Sequence, residues 1–174
     1  MDDRLVSKDL VYDGRIATGY KLRLRMGDGH VVERDYFHYN GAVVILPVLD
    51  DGRIVLIRNY RFAVDERLWE LPAGMLEADE DPADCAAREL AEETGHAAGA
   101  ITRLGQFYSA PGTMDEVMHA YLATDLTAGP QNLERYEEIT VEPQTEADVR
   151  GMIESGEIHD GKTLAALGLY WLKR

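Results

Sequence analysis

A single cysteine, Cys85, stands among 174 residues, which excludes an intrachain disulfide and any metal site built from several thiolates. Basic residues are scarce: 18 Lys and Arg face 32 Asp and Glu, for a formal net charge of −14. Duplex DNA and anionic membranes need a positive footprint, so neither is expected as a partner. The longest apolar run, Gly41 to Leu49, is about half of what a membrane span requires. Met1 to Leu10 carries Asp2, Asp3, Arg4, Lys8 and Asp9 and lacks the apolar segment of a signal peptide. With no disulfide framework, the expected location is the cytoplasm. Glycine and proline, 16 and 6 residues, are too few for collagen-like or low-complexity classes, and no internal repeat is present. Missing too are a Gly-x-Ser-x-Gly elbow, a His-Glu-x-x-His pair and a Gly-x-x-x-x-Gly-Lys loop.

What is present is one domain's worth of chain, 45% apolar, enough for a core without staples. Tyr20, Leu22, Leu24 and Met26 alternate with Lys21, Arg23 and Arg25, the period of a half-buried strand. Gly27-Asp28-Gly29 turns that strand into a second one, Val31 to Phe37. Ala42 to Leu46 and Ile54 to Ile57 are continuously apolar and flank Asp51-Gly52, so the pattern predicts a central hairpin. A helix is predicted from Pro82, capped by Asp81 and stopped by Gly95. Ala83, Ala87, Leu90, Ala91 and Thr94 are expected to be its buried stripe. Strands follow near Ile101 to Tyr108 and His119 to Ala123, then a polar loop from Leu126 to Glu138, and a short strand at Ile139 to Val141. Helices Glu146 to Glu154 and Lys162 to Leu172 close the chain, the second capped near Asp160. Mixed strands with few helices indicate an α/β fold of the α+β type.

On the Asp81–Thr94 helix, Glu89, Glu92 and Glu93 sit at i, i+3 and i+4, so three carboxylates share one face. Each like-charge pair opposes the helix by roughly 0.2–0.5 kcal/mol, and Arg88 offsets only part of this by pairing with Glu92. A divalent cation would turn that repulsion into attraction, and oxygen donors favour Mg²⁺ or Mn²⁺ over zinc. The alternative is a solvated acidic face on an acidic protein.

The flanking residues shift the balance toward the cation. Gly74, five residues, Glu80, seven residues and then Arg88-Glu89-Leu90-Ala91-Glu92-Glu93-Thr94-Gly95 resembles the signature of the Nudix hydrolases. The one departure is His96, where the pattern prefers a bulky aliphatic residue. Ile57 to Arg61, Trp69 to Gly74, the Ser109-Ala110-Pro111-Gly112 stretch and the ending Asp160-Gly161-Lys162-Thr163 are similar to the ADP-ribose pyrophosphatase subgroup. His38-Tyr39-Asn40-Gly41 stands where that subgroup often has His-Pro-Gly. The resemblance implies an α/β/α sandwich with a mixed central sheet over residues 40–174, preceded at 1–39 by a β-hairpin that relatives commonly exchange in a homodimer.

It also implies an activity: hydrolysis of a nucleoside diphosphate linked to a further group, with Mg²⁺ or Mn²⁺. The expected substrate is ADP-ribose, split to AMP and ribose 5-phosphate; GDP-mannose or another such sugar is the alternative, and a non-catalytic nucleotide sensor is the alternative of another class. The implied ligands are Glu89 and Glu93, with Glu92 in support and the Ala73 carbonyl. Arg88 would orient a glutamate, and Glu80 or Glu77 would stand behind the ligands. The base is expected from the acidic loop, where distance to the Ile139 strand selects Glu137 over Glu138, with Glu134 further off. Arg61 is the candidate phosphate contact, with Glu70, Gly112 and Glu116 as further substrate-side positions. Tyr20, Tyr36, Phe37 and Tyr39 are open candidates for stacking on a base.

Overall fold

The structure is a computed structural model that describes residues 3–135 and 137–174. The chain divides into two compact units. The smaller comprises the residues up to Gly41 together with Tyr108–Val117; the larger comprises Ala42–Phe107 and Met118–Arg174.

The smaller unit is built on a three-stranded antiparallel sheet of β1 (Leu5–Asp13), β2 (Thr18–Arg25) and β3 (Val31–His38), in that order across the sheet. The expected β2–β3 hairpin is there, with Gly29 at φ +89 in its turn. Lys21, Arg23 and Arg25 form its wet side. Tyr20 and Tyr36 lie on the other side and stack on each other, ring centroids 5.7 Å apart. The Tyr108–Val117 segment is tied to β3 by Phe37 N–H donating to the Thr113 carbonyl at 2.9 Å. Asp115 clamps it further, accepting from the Tyr36 hydroxyl at 2.6 Å and the Tyr39 amide at 3.0 Å, with His38 Nδ1 at 2.7 Å. Burial and this acidic neighbour push the Tyr36 phenol up to about 12.

The larger unit holds two sheets. Their strands are β4 (Ala42–Pro47), β5 (Ile54–Arg61), β6 (Glu66–Glu70), β7 (Ala73–Met75), β8 (His96–Tyr108), β9 (Val117–Ala128) and β10 (Ile139–Gln144), and one sheet has the order β7-β4-β9-β8. The other runs β10-β5-β6. The Asp51-Gly52 turn forms, Gly52 at φ +85 with its amide on the Leu49 carbonyl at 2.8 Å. The hairpin expected around it does not. After one bridge, Val48 to Ile54, the two strands part into different sheets. Turn chemistry fixes the reversal; the side chains on both faces of β4 and β5 determine which sheet each strand joins.

β4 is buried on both faces, and this positions the site. It runs parallel to β9 and antiparallel to β7. Val43 and Ile45 pack against Cys85, Ala86 and Leu90 of α1 (Pro82–Thr94). Ala42, Val44 and Leu46 face a second cluster with Val149 of α2 (Glu146–Glu154) and Ala166 and Leu167 of α3 (Gly161–Leu172). The result is the expected helix–sheet–helix layering with a mixed sheet. Among the described residues, no helix is long and apolar enough to cross a membrane.

α1 begins and ends as its caps dictate: Asp81 accepts from the Ala83 amide, and Gly95 takes φ +72. Its buried side differs from the expected alanine stripe. Ala87 is exposed, while Cys85, Ala86, Leu90, Glu93 and Thr94 are buried. The small-residue pattern was compatible with either rotation of the helix, and packing against Val43 and Ile45 selects the one that takes Glu93 inward.

One buried hydroxyl joins α3 to the turn between β6 and β7. Thr163 Oγ1 accepts from the Leu71 amide at 2.9 Å and donates to Asp160 at 2.7 Å. Thr163→Val leaves that buried amide without a partner and is expected to cost about 1–3 kcal/mol. Chemical denaturation of the variant measures this, with Thr163→Ser, which keeps the hydroxyl, losing less.

Candidate active site

The site grows from two short pieces of backbone held face to face. β7 lies against β4, with Val44 opposite Ala73 and Val43 opposite Gly74. α1 lies across the same strand through Cys85, Ala86 and Leu90. Glu93 is thereby 3% exposed, and its Oε2 accepts from the Ala73 amide at 2.9 Å. Glu89, one turn earlier, rests against Gly74. A Cβ at Gly74 would fall 1.9–2.3 Å from the Glu89 carboxyl atoms, so only glycine lets that carboxylate occupy its place.

Arg88 gathers the remaining acids. Its Nε and Nη2 donate to the two oxygens of Glu80 at 2.9 and 3.0 Å. Nη1 donates to Glu89 at 2.7 Å and to Glu92 at 3.1 Å. The Arg88 hydrogen bonds hold the Glu80 carboxyl down to about 2, and the same bonds push the guanidinium pKa up. Cys85, buried beside them, has its thiol pushed up to about 12 by burial first and then by Glu80. It is inert as a nucleophile at neutral pH.

Arg88 only partly offsets the burial of Glu89, and Glu93 has no cation in contact with it among the described residues. Burial raises the Glu89 pKa, with Glu92 and Glu137 adding to it against the opposing pull of Arg88. Burial pushes Glu93 up to about 8, and the charges of Glu89 and Glu137 add to the rise. The Ala73 amide and Arg61 offset only part of it. Crowded, desolvated oxygen donors of this kind fit a hard divalent cation, which would reverse the repulsion. As they stand, no three Asp, Glu, His or Cys side chains among the described residues close around one point; Glu89 and Glu92 are both turned toward Arg88. Ala73, Glu89, Glu92 and Glu93 are the residues that would hold the ion.

The loop before β10 is tied to the end of α1. Gly129 N–H donates to the Gly95 carbonyl at 2.6 Å and Asn132 N–H to the Glu92 carbonyl at 3.0 Å. The Gln131 side chain reaches the Glu93 carbonyl at 2.6 Å. Downstream, Glu137 Oε2 accepts from the Glu134 amide at 2.8 Å, and its charge is felt by both Glu89 and Glu93. Glu138 is paired with Arg67 instead.

Arg61, at the end of β5, makes a bidentate fork with Glu70, Nε to Oε1 at 2.7 Å and Nη2 to Oε2 at 2.5 Å. Glu70 is fully buried and also takes Lys162 Nζ at 2.5 Å. Glu93 and Asp160 lie near enough to add to the rise that Glu70 imposes on the Arg61 pKa. The structure thus gathers Ala73, Arg88, Glu89, Glu92, Glu93, Glu137, Arg61 and Glu70 in the larger unit. Gly112 and Glu116 belong to the smaller one. There Gly112 adjoins a cavity of about 420 Å³ lined also by Leu22, Leu24, Tyr108, Pro111 and Met114. The sequence reading gave Gln131 no notice, and Lys162, though part of the Asp160–Thr163 stretch that carries the resemblance, no role. Lys162 had a signal, its place in the first turn of a helix capped by Asp160, but its partner Glu70 is 92 residues away.

Residues 38–167 match the NUDIX domain family. The chain is 33% identical over 175 residues to an ADP-ribose pyrophosphatase of Bacillus subtilis strain 168, covering 99% of this chain and 95% of that protein. It is 34% identical over 160 residues to a GDP-mannose pyrophosphatase of Citrobacter koseri, covering 85% and 82%. A crystal structure of an ADP compounds hydrolase superposes with a TM-score of 0.83 at 26% identity, over 97% of this chain and 93% of that one.

Because the Glu93 pKa is raised from 4.5 to about 8, the unfolded chain gives up this proton first. Between those pH values the folded state holds the extra proton, so its stability falls as pH rises through the window. In EDTA, Glu93→Gln is therefore expected to be more stable than the parent at pH 8 by roughly 1–3 kcal/mol. At pH 4 the two should unfold alike. Denaturant titrations at both pH values check this.

Proposed function

Since the chain belongs to the NUDIX-domain family, we propose that it hydrolyses the pyrophosphate bond of a nucleoside diphosphate sugar, with ADP-ribose, giving AMP and ribose 5-phosphate, as the foremost substrate. The observation that carries this reading is the set of buried, mutually repelling carboxylates Glu89 and Glu93, held under Gly74 and steadied by Arg88. A non-catalytic sensor has no use for so costly an arrangement, and all its members are intact. GDP-mannose is the second reading, favoured by the 34% identity to a GDP-mannose pyrophosphatase.

A pyrophosphate is anionic, and so is this chain, at −14. A bound divalent cation, Mg²⁺ first and Mn²⁺ second for an all-oxygen donor set, supplies the positive charge that lets water approach phosphorus. The protein's own residues do the rest. The Ala73 carbonyl, Glu89, Glu92 and Glu93 would hold the ion. Arg88 keeps Glu89 and Glu92 from splaying apart, while Glu80 fixes Arg88 from behind. Arg61 binds a phosphate oxygen, its fork to Glu70 holding the guanidinium plane. Glu137 accepts the proton of the attacking water, and its nearness to Glu89 and Glu93 supports it over Glu138, which Arg67 engages.

We also infer a cytoplasmic homodimer. A lone, buried, unpaired cysteine suits a reducing compartment. Val6, Leu10, Val11 and Tyr12 on edge strand β1, with Ile16 beyond it, are exposed, an apolar surface that suits a second copy.

The test is product analysis with ADP-ribose, GDP-mannose, NADH and diadenosine compounds in Mg²⁺ or Mn²⁺. AMP from ADP-ribose, abolished by EDTA, is expected; nucleotide binding with no turnover of any compound would overturn the hydrolase reading. Glu93→Gln is expected to remove most activity. Glu137→Gln should lower kcat roughly 100-fold or more, against a severalfold effect at most for Glu138→Gln.

A further inference from the structure

Glu70 is a carboxylate without water, its side chain 1% exposed, and it is met by two cations rather than one. Arg61 takes both of its oxygens. Lys162 adds Nζ to Oε2 at 2.5 Å and reaches Asp160 Oδ1 at 3.0 Å. Asp160 is in turn held by the Thr163 amide at 3.0 Å and the Thr163 hydroxyl at 2.7 Å, at the N-terminus of α3. The same threonine grips the Leu71 amide. The start of α3 therefore holds Glu70 and its neighbour by two separate contacts, and Glu70 holds Arg61.

The order of exposure gives this network a direction. Glu70 is at 1%, Asp160 at 15% and Lys162 at 18%, whereas Arg61 is at 37%. Both negative groups lie at the inner end, and Asp160 is further offset by the positive end of α3. The outer end is a guanidinium whose Nε and Nη2 are committed to Glu70. Its Nη1 has no hydrogen-bond partner among the described residues and remains for an anion. Without Lys162, the full charge of Glu70 would fall on Arg61 alone, and the pair would present a neutralised, less firmly aimed donor.

We propose that Lys162 is a positioning residue: acting through Glu70, it aims Arg61 at the diphosphate of the substrate and preserves the positive charge that Arg61 presents to it. The inference rests on the reading of Arg61 as a phosphate contact, and it extends the site to a residue of α3.

The experiment measures Kd for ADP-ribose in EDTA, where nothing is turned over, and KM and kcat with Mg²⁺. It compares the full chain, Arg61→Met, Lys162→Met and the double variant. Lys162→Met is expected to weaken binding and raise KM about tenfold with kcat falling less than about threefold. In the double variant, Lys162→Met should add no further loss to Arg61→Met, because it acts through Arg61. Lys162→Gln, which keeps a polar end, serves if Lys162→Met does not fold. A Lys162 variant that melts earlier but binds ADP-ribose like the parent overturns the proposal, as does a loss fully additive with that of Arg61→Met. An Arg61→Met protein that binds normally overturns the phosphate contact itself. A parent that neither binds nor hydrolyses any nucleoside diphosphate sugar overturns the substrate reading and this inference with it.

Discussion

The 2.9 Å hydrogen bond from the Ala73 amide to Glu93 joins a strand that belongs to the core with a carboxylate that has been taken out of water. Much of the larger unit can be traced to making that contact tolerable. β4 is apolar on both faces, so it forms a rigid floor on which β7 and α1 are fixed relative to each other. Gly74 brings the backbone close enough for Glu89 to lie beside it, and Gly95 turns the chain back so that the Gln131 segment can close over the end of the helix. Arg88 then distributes one positive charge over three glutamates. The charge that is still unmatched is the part available to a ligand.

The same unit contains a second buried glutamate, and the contrast is instructive. Glu70 is surrounded by a guanidinium and an ammonium, so its oxygens are spent within the protein. Glu93 has one amide and a more distant Arg61, so its burial is opposed rather than compensated. Burial alone does not decide whether a carboxylate is matched within the fold. The number of cations the fold has assigned to it does.

Much of this was legible in the sequence, for reasons that can be named. α1 was readable to the residue because Asp81, Pro82 and Gly95 are local devices whose geometry needs no tertiary information. The glutamate set was readable because helical spacing places the three acids together whatever the helix packs against. The depth of Glu93 was not, since the small residues of α1 allow either rotation and the choice is made by Val43 and Ile45. β1 was missed because Leu5 to Asp13 is mostly exposed and carries no clean alternation. β6 and β7 are short, and Pro72 between them hides the fact that both sides are extended. The Asp51-Gly52 hairpin failed for the complementary reason: a turn signal specifies two reversing residues and is silent about strand partners. The Lys162–Glu70 contact spans 92 residues, beyond the reach of any spacing rule.

The close approach of Glu89 to Gly74 has a bearing on how such a site can change through descent. A side chain at position 74 meets the end of the Glu89 side chain, which can swing aside, so a first step there moves the carboxylate from its place while leaving the acid in the chain. A first step at position 89 to a smaller residue meets no such obstacle, and it opens space that a later side chain at 74 can fill. The two first steps are therefore unequal: one misplaces the acid, the other removes it. A descendant that lost Glu89 first would keep the glycine turn, the helix and the Arg61 fork, with one carboxylate fewer beside them.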